Sequence, residues 1–191
     1  MNKRDFRILV ADDDEIALDV VSSLLSKEGY PVLTAKDGLE AIATLRKEHI
    51  SLVISDLRMP GADGIEVLRQ AMRIDPDMAV VILTAYGTLD SALEAMEEGA
   101  FDYLTKPFKV QEILIIAARA FKRAMLLDER KELIRLLRDT YRDIEVIKNI
   151  SISNNVDVQF SWIERLERLR AMDVLTDEEA SILKERLVKG E

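Results

Sequence analysis

The stretch LVISDLRMPGADGIEVL, residues 52–68, decides the fold. A short apolar run ends on Asp56, and Pro60, Gly61 and Gly64 follow before the next apolar helical pattern. A carboxylate at the end of an apolar run loses hydration, so it needs a hydrogen-bond donor, a counter-charge or a metal ion. The simpler alternative is a turn-forming aspartate that holds the loop after the strand. The other strands of the chain decide between the two.

The pattern of a short apolar run followed by a helical stretch occurs five times. The apolar runs are RILVA, PVLTA, SLVIS, MAVVILTA and FDYL, which begin at residues 7, 31, 51, 78 and 101. Strands that alternate with helices of this length predict right-handed crossovers and a parallel sheet covered on both faces. The sequence therefore predicts an α/β fold with a doubly wound, five-stranded parallel sheet.

Polar side chains follow the predicted strands. Asp12 and Asp13 follow the first strand, Asp56 ends the third, Thr84 ends the fourth, and Lys106 lies just beyond the fifth. In such sheets ligands bind at the carboxyl ends of the strands, near the point where strand order reverses. Three carboxylates brought together repel one another unless a cation lies among them, and oxygen ligands of this kind suit Mg2+. The sequence predicts a phosphoryl site with Asp56 as the candidate nucleophile.

Composition excludes several other classes of function. The chain has 191 residues, a net charge of −9 and no cysteine, so disulfides, thiolate zinc sites and cysteine nucleophiles are excluded. No apolar run approaches the roughly 20 residues that span a membrane, and the N-terminus has no signal-peptide core. The negative charge argues against nucleic acid as a partner. We expect a cytoplasmic protein without membrane association.

Four motifs together resemble the receiver domain of two-component response regulators, which has the flavodoxin-like fold. They are ILVADDDE, LVISDLRMPGADGIEVL, VVILTAYG and FDYLTKPF, and the resemblance covers roughly residues 5–125. In this family the peptide bond before the proline at the position of Pro107 is usually cis. The order and spacing of the motifs make the resemblance specific.

The resemblance implies that Asp56 accepts a phosphoryl group from a sensor histidine kinase or a phosphotransfer protein. It further implies that Asp13 binds Mg2+ directly, that Asp12 binds it through water, and that Asp56 and the backbone carbonyl of Arg58 complete the ligands. Mg2+ is the only cofactor that the resemblance implies.

The same resemblance assigns the groups that bind the phosphoryl oxygens and transmit the signal. Thr84 and Lys106 each contact a phosphoryl oxygen, and Tyr103 is the aromatic switch residue that turns inward as Thr84 moves. Arg58 and Tyr86 occupy positions that tune the lifetime of the phosphorylated state in the family. A degenerate receiver would lack one of the required groups, and none is missing.

The region after the fifth strand is predicted to be helical, since no glycine or proline occurs from Val110 to Lys189. We predict one helix over about 111–148. The predicted organisation is a receiver domain at 1–125, a helical extension at 126–149 with coiled-coil character, a linker at 150–159, and a helical hairpin at 160–191.

A heptad pattern in the extension predicts a homodimer. Its members are Leu127, Ile134 and Tyr141 at seven-residue spacing, with Leu137 and Ile144 three residues after the last two and Arg130 at the matching earlier position. Leu126, Leu133 and Ile147 widen the stripe beyond a two-stranded seam. The alternative is a monomer in which the hairpin folds back over residues 126–147.

The last segment predicts two helices joined by a turn. Thr176 is followed three residues later by Glu179, which is the signature of a capping box at the start of a helix. The segment also resembles the SHOCT family of short C-terminal domains, whose function is too general to imply an activity.

Three function classes remain open from the sequence. The first is a signalling switch, in which phosphorylation of Asp56 controls assembly or the binding of a downstream protein through the tail, with no enzymatic activity beyond self-phosphorylation and self-dephosphorylation. The second is a transcription regulator whose hairpin contacts DNA, which the acidic tail and the lack of a third helix oppose. The third is a metal-dependent phosphatase, which is weakened because Arg58 replaces the second aspartate that such enzymes have two positions after the nucleophile.

Overall fold

The structure is a computed structural model that describes residues 2–85, 87–150, 156–171 and 175–189. For residues 143–150, 156–162 and 186–189 it describes the backbone only. The chain divides into two compact units with the boundary between Lys131 and Glu132, and each is treated by itself below. No helix in the described part of the chain is long and apolar enough to cross a membrane.

The first unit alternates strands and helices as the sequence predicts. The elements are β1 (Ile8–Ala11), α1 (Glu15–Lys27), β2 (Val32–Ala35), α2 (Gly38–Lys47), β3 (Leu52–Asp56), α3 (Gly64–Ile74), β4 (Ala79–Thr84), α4 (Leu89–Glu97), β5 (Asp102–Thr105) and α5 (Val110–Ile150). The strands form one parallel sheet in the order β2-β1-β3-β4-β5. The predicted fold class is confirmed.

Alternation along the strands divides the core into two layers, because successive side chains of a strand point to opposite faces. Ile8 and Val10 of β1 pack with residues of α1 and α5 on one face. Leu9 and Ala11 pack with residues of α2 and α3 on the other. Strands β3 and β4 are buried along their whole length, as expected for central strands of a sheet covered on both sides.

Aspartate caps fix where three of the helices begin. Asp14, Asp37 and Asp63 precede α1, α2 and α3, and each carboxylate accepts a hydrogen bond from a backbone N–H of the first turn. Asp14, the third aspartate after β1, therefore has a structural role as the cap of α1. The caps therefore fix where the loops after β1, β2 and β3 end, and these loops lie at one edge of the sheet.

Beyond its first three turns, which pack in the receiver core, α5 lines a cavity at the other edge of the sheet. Ala124, Leu127 and Lys131 face residues near the starts of β3 and β4, among them Ile50 and Met78. The heptad pattern predicts Leu127 on a coiled-coil seam, whereas in the structure Leu127 is half-buried and lines this cavity. The reason is that the core-facing stripe of α5 extends for two more turns than the receiver motifs indicate.

The second unit contains the last part of α5 and the helices α6 (Val156–Ala171) and α7 (Asp177–Lys189). Helix α6 begins inside the segment predicted as a linker at 150–159, while residues 151–155 lie outside the described part of the chain. The apolar residues Val156, Phe160 and Ile163 have helical spacing, which explains the earlier start.

Helices α6 and α7 contact each other, and residues 172–174 between them lie outside the described part of the chain. Leu166 and Ala180 are buried, and Lys184 forms an ion pair with Glu167 at 2.8 Å. The capping box is also present, because the Glu179 N–H donates to Thr176 Oγ1 and the Thr176 N–H donates to Glu179 Oε2.

Candidate functional site

Two acidic side chains lie next to each other at the carboxyl edge of the sheet. Strands β1 and β3 pair with Ala11 opposite Ser55, so the residues that follow, Asp12 and Asp56, are neighbours at the point where strand order reverses. Asp12 is 2% exposed and Asp56 is 7% exposed. Asp13 lies on the same loop and is exposed. The predicted acid cluster is therefore assembled from two adjacent strands.

Lys106 bridges the two buried carboxylates. Its Nζ lies 2.6 Å from Asp12 Oδ2 and 2.5 Å from Asp56 Oδ1. The Lys106 N–H donates to the Thr84 carbonyl at 2.6 Å, which ties the loop after β5 to the end of β4. The peptide bond between Lys106 and Pro107 is cis, as the resemblance implies. Lys106 is thus held at the centre of the site by two ion pairs and one backbone bond.

Burial and ion pairing have opposite effects on the protonation of these groups. Burial raises the pKa of Asp12 above its ordinary value, although the Lys106 ammonium and the Asp14 N–H both lower it. For Lys106, burial lowers the pKa, but the hydrogen bonds to Asp12 and Asp56 outweigh it and the net shift is upward. The ammonium therefore stays charged, while Asp12 binds a proton more readily than an exposed aspartate does.

The backbone around Asp56 explains why a buried strand ends on an aspartate. Asp56 Oδ2 accepts a hydrogen bond from the Arg58 N–H at 2.6 Å, and Oδ1 faces Lys106. Both carboxylate oxygens thus have partners despite burial, as a buried charge requires. Gly64 permits the loop to return, because a Cβ there would lie 2.4 Å from the Asp56 carbonyl oxygen. The side chain of Arg58 is exposed.

The side chains present fit a hard divalent cation in their chemistry. Three carboxylates and one ammonium leave two negative charges in excess, and all donors are oxygen. In the described residues, however, no three acidic or histidine side chains surround a common point. In this structure the single positive charge of Lys106 is shared between Asp12 and Asp56 and offsets one of their two negative charges.

Thr84 and Tyr103 lie where the resemblance places them, on the two neighbouring strands. Thr84 ends β4 and is buried, and Tyr103 belongs to β5, which pairs with β4. The Tyr103 hydroxyl lies 2.8 Å from Ser91 Oγ, at the start of α4. Gly87 leaves room for the threonine side chains at the ends of β4 and β5, since a Cβ there would lie 2.8 Å from Thr105 Cγ2 and 3.3 Å from Thr84 Cγ2. Tyr86 lies outside the described residues.

Ser91 was missed at the sequence level. It forms a capping box with Thr88, in which the Ser91 N–H donates to Thr88 Oγ1 and the Thr88 N–H donates to Ser91 Oγ. The signal was available as a threonine followed three residues later by a second hydroxyl residue. The contact with Tyr103 could not be read from the sequence, because it joins β5 to α4 across the fold.

Solved structures with the same fold include bacterial receivers. A response regulator receiver domain protein from Clostridium thermocellum is 41% identical, with a TM-score of 0.61, and the match covers 64% of this chain and 98% of that one. The beryllofluoride-activated NtrC4 receiver domain dimer is 34% identical, with a TM-score of 0.58, and the match covers 61% of this chain and 96% of that one.

Sequence relatives share the same segment. Sporulation initiation phosphotransferase F of Bacillus subtilis (strain 168) is 40% identical over 107 residues, which is 56% of this chain and 86% of the relative. Transcriptional regulatory protein GlrR of Escherichia coli (strain K12) is also 40% identical over 107 residues, but this chain spans only 24% of its length. Residues 8–118, more than half of the chain, match the model of the response regulator receiver domain, and the chain therefore belongs to this family.

Proposed function

We propose that this response regulator accepts a phosphoryl group on Asp56 from a sensor histidine kinase or a phosphotransfer protein. The observation that carries the proposal is the buried Asp56 carboxylate, which shares the Lys106 ammonium with Asp12. Asp12 is also buried beside this ammonium, and Asp56 differs from it as the last residue of strand β3. Such a carboxylate is available for attack only at the sheet edge, where a donor can approach.

Mg2+ would be held by Asp12, Asp13, Asp56 and the backbone carbonyl of Arg58. The supporting observations are the excess of two negative charges and the all-oxygen donor set. When bound, the metal neutralises charge that builds up on the phosphoryl oxygens. Lys106 supplies a second positive charge there, and the Asp56–oxygen bond to phosphorus forms as the donor's nitrogen–phosphorus bond breaks and the imidazole leaves.

Thr84, Tyr103 and Ser91 would carry the signal away from the phosphoryl group. The Thr84 hydroxyl would bond a phosphoryl oxygen, and Tyr103 would move with it. A moved Tyr103 loses its hydrogen bond to Ser91, which belongs to the capping box of α4. The start of α4 is therefore the part of the fold that we expect to respond. Arg58 and Tyr86 would tune the lifetime of the phosphorylated state.

The helical tail would convert this change into assembly. We propose that the protein is a homodimer through α5, and that a downstream protein partner binds the tail. The fold-back alternative would cover the apolar residues of the extension, but Leu133, Leu137 and Tyr141 are exposed. A solved relative is itself described as an activated receiver dimer. The likeness of α6 and α7 to the SHOCT family stays a prediction.

Other functions receive less support. Several relatives are named transcriptional regulators, but the shared segment is about a quarter of their length, so their DNA binding does not carry over. The related phosphotransferase suggests that the phosphoryl group can be passed on to another protein. We propose no catalysis beyond phosphorylation and dephosphorylation of the chain itself, and we place the protein in the cytoplasm.

The test is phosphorylation by acetyl phosphate with and without Mg2+, followed by intact mass. The expected result is one added phosphoryl group that requires Mg2+ and is absent in Asp56→Asn. Asp75→Asn, a substitution of the same kind at a loop aspartate away from the site, is the matched control and should leave the modification unchanged. Phosphorylation of Asp56→Asn at the rate of the unmodified chain would refute the proposal.

A further inference from the structure

Helix α5 carries one apolar stripe that is committed to the receiver itself. Ile113, Ile116, Ala117 and Ala120 are buried in the core, and the same stripe continues with Ala124, Leu127 and Lys131 along the cavity near Met78. The later members are spaced three and four residues apart, so they lie on one face of the helix. This face of α5 faces the receiver as far as Lys131.

Two cations on α5 fix this face against the loop between α3 and β4. Arg123 Nη1 donates to the Asp77 carbonyl at 2.6 Å, and Lys131 Nζ lies 2.9 Å from Asp77 Oδ2. The two contacts are two helical turns apart and share one residue of the loop. They define the rotation of the helix about its own axis between residues 123 and 131.

A second apolar stripe starts at Leu126 on the opposite side of the helix. Leu126, Leu133 and Leu137 are exposed to 57%, 57% and 58%. With 3.6 residues per turn, these three positions lie roughly 140° around the helix from the first stripe. Thr140, Ile144 and Ile147 continue it in the sequence with the alternating three- and four-residue spacing of a heptad pattern.

We propose that two copies of the chain pair through this second stripe, with Leu126, Leu133 and Leu137 at the seam and the two α5 helices parallel. The inference deepens the proposed homodimer and rests on it. The pattern built on Leu127, Ile134 and Tyr141 lies only about 60° around the helix from the receiver-facing stripe and includes Leu127, which lines the cavity of the receiver. A second copy that packs on the second stripe does not compete with these contacts to the receiver.

Charges near the start of the seam fit a parallel pair. Arg130 lies on the second stripe between Leu126 and Leu133, and Glu129 precedes it at the flanking position. In a parallel pair, Arg130 of one copy lies beside Glu129 of the other, which offsets the repulsion between the two Arg130 side chains. The polar layers at Arg130 and Thr140 also favour a single register, because a shift would place Arg130 against leucine.

Cysteine cross-linking tests the seam without background, since the chain contains no cysteine. Four single variants are compared in two pairs of neighbouring positions. Leu126→Cys is compared with Leu127→Cys, and Leu133→Cys is compared with Ile134→Cys. Under mild oxidation, Leu126→Cys and Leu133→Cys should form disulfide dimers at least about tenfold faster than their neighbours, because seam positions bring the two Cβ atoms within bonding range. Leu39→Cys, at an equally exposed leucine of α2, measures random collision.

Two outcomes overturn the inference. Faster dimers from Leu127→Cys and Ile134→Cys would place the seam on the other stripe. If the variants at 126, 127, 133 and 134 all form disulfide dimers only as fast as Leu39→Cys, both without and with beryllium fluoride, pairing through α5 is excluded. Phosphorylation of Asp56 in the same samples is measured separately by mass, so that failure of the seam is distinguished from failure of the phosphoryl acceptor.

Discussion

Replacing Lys106 by methionine tests the electrostatic core of the site, because this residue forms ion pairs with two buried carboxylates at once. Its Nζ contacts Asp12 Oδ2 and Asp56 Oδ1, while the Lys106 side chain is 21% exposed. Removal of one member of a buried ion pair costs about 3–5 kcal/mol. The partial exposure of Lys106 puts the expected loss near the lower end, at about 3 kcal/mol. For a domain of this size the melting temperature should fall by roughly 10 °C.

The loss of stability in Lys106→Met should depend on both the pH and the presence of Mg2+. Burial raises the pKa of Asp12, and removal of the ammonium raises it further, so the folded state of Lys106→Met binds a proton more tightly than the unfolded chain. The destabilisation is therefore full above the pKa of Asp12 in the folded variant and shrinks as the pH falls through it. Mg2+ should also reduce it, since the cation replaces the lost positive charge.

Urea unfolding at pH 7.5 and pH 5, in chelator and in Mg2+, measures these differences. Lys122→Met, at an exposed lysine of α5, controls for the loss of one surface charge and should change the free energy of unfolding by less than about 0.5 kcal/mol. A loss below about 1 kcal/mol for Lys106→Met in chelator, or one that grows as the pH falls, would refute the reasoning.

Three further results are expected. Asp13→Ala should remove Mg2+ binding measured by calorimetry, whereas Lys106→Ala should keep it and lose phosphorylation; equal loss of metal affinity in both would contradict the assigned roles. As the pH is lowered, protons compete with Mg2+ for Asp12, and burial raises the pKa of this carboxylate. The Mg2+ affinity of the unmodified chain should therefore begin to weaken at a higher pH than it would at a site of exposed aspartates. Ser91→Ala should cost about 1 kcal/mol through the lost cap and speed amide exchange in the first turn of α4, and unchanged exchange there would remove Ser91 from the switch.

The sheet and its polar edge could be predicted because local patterns determine them. The apolar run before Asp56 and the glycine at position 64 indicate a buried strand and a tight return, and the structure has both. Parallel strands then bring Asp12 and Asp56 to the same edge without further information. The helix of the extension was likewise predictable, since no residue from Val110 onward stops it before Ile150.

Contacts between distant segments were not predictable in the same way. The heptad pattern placed Leu127 on a seam because periodicity alone does not say which of two neighbours a helix face will meet. The pairing of Lys131 with Asp77 depends on the position of the loop before β4, which lies 54 residues earlier in the chain. The bridge from Lys106 to two carboxylates is of the same kind, since the sequence indicated only that a cation was needed there.

The central claim is that Asp56 carries the phosphoryl group, and borohydride reduction tests it most directly. An aspartyl phosphate is an acyl phosphate, which borohydride reduces to homoserine, so that the modified residue is marked by its mass. After treatment with acetyl phosphate and Mg2+, peptide mass spectrometry should find homoserine at position 56 and at no other aspartate. Homoserine at Asp12 or Asp13, or a stable phosphate ester on Thr84 with residue 56 unchanged, would contradict the account.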